Sequence, residues 1–401
     1  MALSSKYLRT FINRFILKKN VIVIFYILMA VIAALRQYVY GKYNNYLILK
    51  SVFWHTLNRK PLYDNYPTEY FDSNHYGPFF SVIIAPFALL PDGVALILWN
   101  VSNISVLLLG IFSLPVSGFN KKIIAWIIIY ECFTALLLFH FNIALTGLIL
   151  LSFSCIEKRM EMKSAFAMLI GFAVKLYGIA ALAFFFFIKD KKQFLLSILL
   201  FAFVFFYLPM LISGPGFIIE SYQQWFTVHI FKNHDNELKS KMSNPSILGF
   251  IRIVMRLYIN ALYGYIFAFL LLVLGLLRTK MYPFVNFRLM ILAYVLICLI
   301  IFNTNIGLHT YIIGSVGVVI WFACVKKNIG IWGLFIFTVI TTGLSSTDVY
   351  SKYIRETYVV LYVLKALTYI LIWLDLSFRI LFFNFSDNNT QRRILRNKVV
   401  I

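Results

Sequence analysis

The sequence predicts an all-α polytopic membrane protein, and three observations carry that prediction. Of 401 residues, 61% are hydrophobic and 13% charged, with a mean hydropathy of +0.84. Apolar runs close to the ~20 residues that a helix needs to cross the hydrocarbon core recur along nearly the whole chain. The runs are too long and continuous for barrel strands, and lipid tolerates no unpaired backbone, so the spans are helices. About ten to twelve transmembrane helices are expected, with interfacial helices in the outer loops.

The chain carries 37 Lys+Arg against 15 Asp+Glu, a formal net charge of +22. These cations cluster at the ends of apolar runs. That is the positive-inside pattern with attraction to anionic headgroups, so membrane lipids and not nucleic acid are the expected partners. Cys132, Cys155, Cys298 and Cys324 fall inside apolar runs without metal-ligand spacing and read as small core residues. The first apolar run lacks a small-residue cleavage site and reads as a retained anchor.

Residues 1–19 form a basic amphipathic leader in which Lys6, Arg9, Arg14, Lys18 and Lys19 alternate with Leu8, Phe11, Ile12, Phe15 and Ile16, suiting a helix on the cytoplasmic leaflet. One transmembrane domain over 20–385 follows, with outer loops at 41–78 and 213–246. A basic cytoplasmic tail occupies 386–401. The first span, Val21 to Tyr40, leads outward. Tyr46, Leu47, Leu49, Val52, Phe53 and Leu57 then recur at helical spacing, so 45–58 is a helix in the interface, ended by Pro61. Phe79–Leu90 is short and interrupted by Pro86, and reads as partly re-entrant before the span Gly93–Leu114. Ile123–Phe139 and Ile143–Ile156 form a hairpin with His140 and Asn142 at its outer tip. The stretch 164–188 is flanked on both sides by basic segments, which makes it a short-armed hairpin with Lys175 near its bend. Phe194–Ile212 crosses to the second outer loop, rich in Gly, Pro, His and Asn. An amphipathic interfacial helix at 247–258 and five further spans near 260–277, 289–302, 310–325, 329–345 and 357–376 complete the domain.

The stretch Lys42–Pro91 is where chemistry is expected. It holds Asp64, Glu69 and Asp72 among aromatics and prolines, between two apolar runs. A base that deprotonates a sugar hydroxyl must be a carboxylate or His near the acceptor, and burial against aromatics would raise a carboxylate's pKa toward a useful range. Solvation, or pairing with Arg59 and Lys60, is the plain alternative. Lys175, inside an apolar stretch, is a functional candidate at that depth unless it snorkels to the surface. Glu131 is a mid-span acid best explained by a buried partner. His140, Asn142, Asn303, Asn305, His309 and Tyr311 are polar groups on the outer side. No paired-acid motif for metal and nucleotide sugar, no Walker A and no GxGxxG occurs.

Taken in order, short patterns in the chain resemble glycosyltransferase family 87, membrane transferases of the C type that use a polyprenyl-phosphate sugar, commonly mannose. The patterns are Asn45-Tyr46, Leu62-Tyr63-Asp64, Tyr76-Gly77-Pro78, Pro86 with Leu90-Pro91 and Trp99-Asn100, His140-Phe141-Asn142, Lys175-Leu176-Tyr177, Asn244-Pro245-Ser246 and His309 with Tyr311. They span roughly 40–325. The family's proposed base is an Asp opening the outer loop; here that residue is Asn45, whose amide cannot accept a proton.

The resemblance implies a C-type bundle that moves a hexose from a polyprenyl-phosphate donor to a lipid or glycan acceptor, with inversion, on the outer face of the plasma membrane. No cofactor or metal is implied, because Arg59, Lys60 or Lys175 can neutralise the leaving phosphate. Asp64 ranks first as base, then Asp72, with Glu69 also a candidate. Asn44, Asn45, Tyr63, His75, Tyr76, His140, Asn142, Lys175, Asn244 and His309 are candidate substrate-binding residues. The alternatives are a lipid-linked glycan flippase, which would show more polar residues within spans and internal repeats, and a catalytically inactive relative acting in glycan assembly.

Overall fold

The computed structural model describes residues 17–239, 246–257, 259–303, 307–343 and 363–386. Among these residues every regular element is helical and none is a strand. The α-helices are α1 (Lys19–Val39), α2 (Asn44–Leu57), α3 (Phe80–Ala88), α4 (Asp92–Ser113), α5 (Gly118–Ile127), α6 (Ile129–Leu137), α7 (Asn142–Glu157), α8 (Glu161–Val174), α9 (Lys191–Tyr207), α10 (Met210–Ser213), α11 (Pro215–Lys239), α12 (Ile247–Val254), α13 (Ala261–Leu276), α14 (Val285–Ile301), α15 (Tyr311–Cys324), α16 (Ile329–Gly343) and α17 (Leu364–Phe382). A 3-10 helix, Leu176–Phe187, follows α8, and shorter ones cover Thr279–Met281 and Leu308–Thr310. The fold is that of an all-α polytopic membrane protein. The stretches Lys19–Val39, Asp92–Ser113 and Lys191–Ser213 are each long and apolar enough to cross a bilayer. Large apolar side chains stay exposed along them, among them Ile24, Leu28 and Ile32 on α1 and Leu196, Leu199 and Phe203 on α9. Such faces are stable only against lipid.

One hydrophobic core runs from Ile22 to Ile380. One close seam is the crossing of α4 and α7, where Gly110 meets Gly147. A Cβ on Gly147 would sit 2.4 Å from the Val106 carbonyl oxygen. Without hydrophobic drive between helices in lipid, close backbone approach at small residues is what holds such a pair together. The helix expected at 45–58 is α2, the interrupted segment at 79–90 is α3, and the hairpin at 164–188 is α8 with the 3-10 helix. Nine-residue α3 rises about 14 Å, under half of the roughly 30 Å core. The two ends of the 164–188 hairpin do adjoin, since the Asp190 N–H donates to Glu161 at 3.5 Å.

Three expectations need correction. The outer loop expected at 213–246 is largely helix α11. Gly214, with φ +83, ends the preceding helix, Pro215 opens the next at its first position, and no Gly or Pro interrupts 217–239. The polar composition of that stretch conceals a helix-compatible sequence. The single span expected over Ile123–Phe139 is two helices broken at Ile128, where the Tyr26 hydroxyl donates to the Ala125 carbonyl at 2.5 Å. A side chain inserted into the backbone ladder is a common origin of such a break. The last span, expected over 357–376, ends at Phe382. The leader up to Ile16, Asn244, Pro245, Asn305 and the tail from Asp387 lie outside the described residues.

Gly147→Ala should destabilise the protein by about 2 kcal/mol, the scale of an overpacked core, read as a lower melting temperature in detergent. An unchanged melting curve would show that α4 and α7 can separate at no cost.

Candidate active site

The site is built where α6 turns into α7. Helix ends leave carbonyls without intrahelical donors, and here four successive carbonyls each receive a side-chain N–H. Asn100 donates to Leu136 at 3.3 Å, Gln37 to Leu137 at 2.7 Å, Asn45 to Leu138 at 3.1 Å and the Trp99 indole to Phe139 at 2.9 Å. Phe139 is held at φ +53, a conformation a bulky residue keeps only when its surroundings over-determine it. The turn so fixed delivers His140 and Asn142.

His140 stacks flat on His309, ring centroids 3.5 Å apart and planes 8° from parallel. Asn142 is fully buried and bridges two further elements: its amide nitrogen donates to the Thr310 hydroxyl at 3.4 Å, and its oxygen accepts from Lys175 Nζ at 2.9 Å. Lys175 sits at the bend between α8 and the 3-10 helix, its Nζ 5.9 Å from the Tyr76 ring and 5.4 Å from the Tyr177 ring. The bend is tight: a Cβ on Gly178 would overlap the Phe172 backbone nitrogen. Asn303 donates to the Tyr177 hydroxyl at 2.5 Å. His140 stands in the connection between α6 and α7 and His309 in the short 3-10 helix that precedes α15, each half-buried. Burial comes first in holding both below the usual histidine range; the Lys175 charge pushes each the same way, and His309 and His75 add to it for His140.

The segment 58–79 covers this cluster. The Tyr63 hydroxyl donates to the Tyr76 carbonyl at 3.0 Å, and the Trp225 indole of α11 to the His75 carbonyl at 3.2 Å. Asn44 clamps Phe71 in both directions, at 2.8 and 2.7 Å. Asn44 and Asn45 thus each fasten backbone. The three carboxylates stand at the surface of this segment. Asp64 and Asp72 are exposed, and Asp72 caps the Ser73 N–H at φ +76. Glu69 accepts from buried His55 at 2.8 Å and from Lys60 at 3.4 Å. Burial alone would raise its pKa, but the His55 hydrogen bond and charge, with those of Lys60, hold it below the usual carboxylate value. The pairing with Lys60 is the plain alternative foreseen for these acids. Arg59 adopts a left-handed backbone, at φ +54. Among the described residues no three His, Cys, Asp or Glu have a metal-holding geometry.

Beside the cluster runs an apolar groove of about 690 Å³, walled by the 3-10 helix (Tyr177, Ala180, Ala183), α13 (Tyr265, Phe269, Leu272) and α14 (Tyr294, Cys298, Leu299). Its polar end is Asn303 and Tyr177, next to Lys175. Ile179, Leu182 and Phe269 on its walls are exposed, so it opens to the lipid side.

The family model of glycosyltransferase family 87 matches residues 74–302, more than half of the chain. The chain belongs to glycosyltransferase family 87. No curated protein sequence matches it. The family match takes in His75, Tyr76, His140, Asn142, Lys175 and the groove walls up to Phe302, but stops short of Asn45, Asp64, Glu69 and Asp72 on one side and Asn303 and His309 on the other. This family 87 member is therefore a membrane glycosyltransferase, and His140, Asn142, Lys175 and most of the groove lie in the matched region. Thr310 and the Gln37, Trp99 and Asn100 caps escaped the sequence reading as site-builders. Their signal, isolated amides and an indole within apolar helices, shows its purpose only once the α6 end is in view.

The Glu69 pairing makes a pH prediction. A folded pKa below the unfolded value contributes stability above the unfolded pKa, about 4.3, and that contribution disappears as pH falls through the folded value. Amide protection factors in 58–72, corrected for the intrinsic pH dependence of exchange, should be high at neutral pH and fall below about pH 4; protection factors independent of pH would show that the ion pair does not hold the segment.

Proposed function

We propose that the protein transfers a hexose, with mannose the first candidate, from a polyprenyl-phosphate carrier to a lipid or glycan acceptor, with inversion. The observation that carries this reading is the lipid-accessible groove whose polar end, Tyr177 and Asn303, lies next to Lys175. An isoprenoid tail suits the groove, the phosphate suits the ammonium and Asn142, and the sugar then lies under segment 58–79. Lys175 supplies positive charge where the leaving phosphate gains negative charge, so this reading requires no metal or other cofactor. The bundle is read as multi-pass in the plasma membrane with this site outside. In support, basic residues gather at the other end, where Arg288 grips Glu157 through two bonds of 2.5 and 2.6 Å and Arg278 donates to the Ile380 carbonyl at 2.7 Å.

Asp64, one residue from the Tyr63–Tyr76 tie, is the leading base, followed by Asp72. Glu69 falls behind both because its oxygens are engaged by His55 and Lys60. Membranes containing the protein, given radiolabelled polyprenyl-phosphate mannose and lipid acceptors, should transfer label. Asp64→Asn should lower transfer by roughly 10²–10⁴-fold without lowering expression, and full activity would pass the role to Asp72. Lys175→Gln should fold and lose donor turnover; retained turnover would remove the phosphate from that end of the groove.

A second reading, an inactive relative acting in glycan assembly, is favoured by one observation: the Asn45 amide is bonded to Leu138. An ionised Asp there would set a carboxylate against a carbonyl. Asn45→Asp should therefore destabilise the protein by about 1–3 kcal/mol, the cost of a lost buried bond, with no gain in transfer. A large gain would mean that catalysis was weakened by the exchange of Asp for Asn.

A further inference from the structure

The stacked histidines have a property that Lys175 alone lacks. Two imidazoles 3.5 Å apart and nearly parallel cannot both carry charge, and with an ammonium bonded to Asn142 beside them even one proton is opposed while the site is empty. The charged and titratable groups facing the pair are Lys175 at the hairpin bend and His75 in segment 58–79. Tyr76 and Tyr177 flank Lys175. Both neighbours that can be positive, Lys175 and His75, oppose a proton on the pair. A bound anion reverses the balance, because its charge cancels that of Lys175 and makes an imidazolium favourable.

We infer that the His140–His309 pair takes up one proton when a phosphate ester binds beside Lys175, so that the donor is held by an ammonium and an imidazolium together. The inference rests on the donor reading above and deepens it. Its chemical consequence lies in the transfer step. The bond between the acceptor oxygen and the anomeric carbon forms as the bond from that carbon to the phosphate oxygen breaks, and the electron pair goes to the phosphate. The acceptor proton goes to the base. The phosphate thus passes from one negative charge as a diester to two as a monoester, and the imidazolium, keeping its own proton, supplies the second positive charge. Repulsion between two rings stacked this closely opposes a second proton, so the pair behaves as a single site with one titration on binding.

The test uses the full-length protein in detergent and a polyprenyl methyl phosphate diester. This probe lacks the second ionisation of a phosphomonoester, near 6, so any proton taken up belongs to the protein. Calorimetric titrations near neutral pH in buffers of different ionisation enthalpy should show uptake of about one proton per probe bound. Linkage then requires affinity to fall about tenfold for each pH unit of increase. The double variant H140Q/H309Q should bind without uptake and with a flat pH dependence. Binding by the unaltered protein with no proton uptake would overturn the inference and leave the donor reading standing; that measurement needs no variant to fold. Uptake that persists in H140Q/H309Q would also overturn it, by placing the proton on His75 or elsewhere. Failure of the unaltered protein to bind the diester at all would remove the donor reading, and this inference with it.

Discussion

The carbonyls at the end of α6 govern much of what surrounds them. A helix that stops inside an apolar bundle must find donors for its last carbonyls, since water is not at hand. Gln37 from α1, Asn45 from α2 and Trp99 and Asn100 from α4 supply them. Three helices are thereby fastened to one turn, and Phe139 is held in the left-handed region as part of the same arrangement. His140 and Asn142 stand where they do because that backbone has little freedom. The cap is a structural demand with a functional product.

Lys175 depends on the same turn. A cation drawn among apolar helices needs partners that replace water, and Asn142 is one of them, with the Tyr76 and Tyr177 ring faces nearby. The bend that carries Lys175 closes because Gly178 admits the Phe172 backbone. Lys175 therefore does not snorkel to the cytoplasmic surface, an option its flanking basic segments left open. It joins the group formed by His140, Asn142 and His309. A buried ammonium with one amide acceptor is incompletely neutralised, and that residual field is what an anion would meet.

Sequence patterning showed the architecture well and the site unevenly. Apolar runs of bilayer length are a strong signal, and the helices at Asn44–Leu57, Ala261–Leu276 and Tyr311–Cys324 appear within a few residues of their expected places. The hairpin around Lys175 was legible from charge alone, because basic residues at both ends require an even number of passages. Helix α11 was not, since His, Asn and Gln look like loop when counted and are helix-compatible when no Gly or Pro separates them. The break at Ile128 was also hidden. It is imposed by Tyr26, a residue nearly a hundred positions earlier, and no local pattern can report a contact of that range.

The carboxylates show where reading by type reaches its limit. Asp64, Glu69 and Asp72 lie within nine residues of one another in sequence, yet the structure gives them three different situations. Glu69 is committed to His55 and Lys60, Asp72 to its own turn at Ser73, and Asp64 stays at the surface beside the anchored Tyr63. Chemical identity is shared; availability is not. An acid whose lone pairs already face a cation gives up part of its basicity to that cation, so availability among the three follows how far each is engaged and cannot be read from residue type.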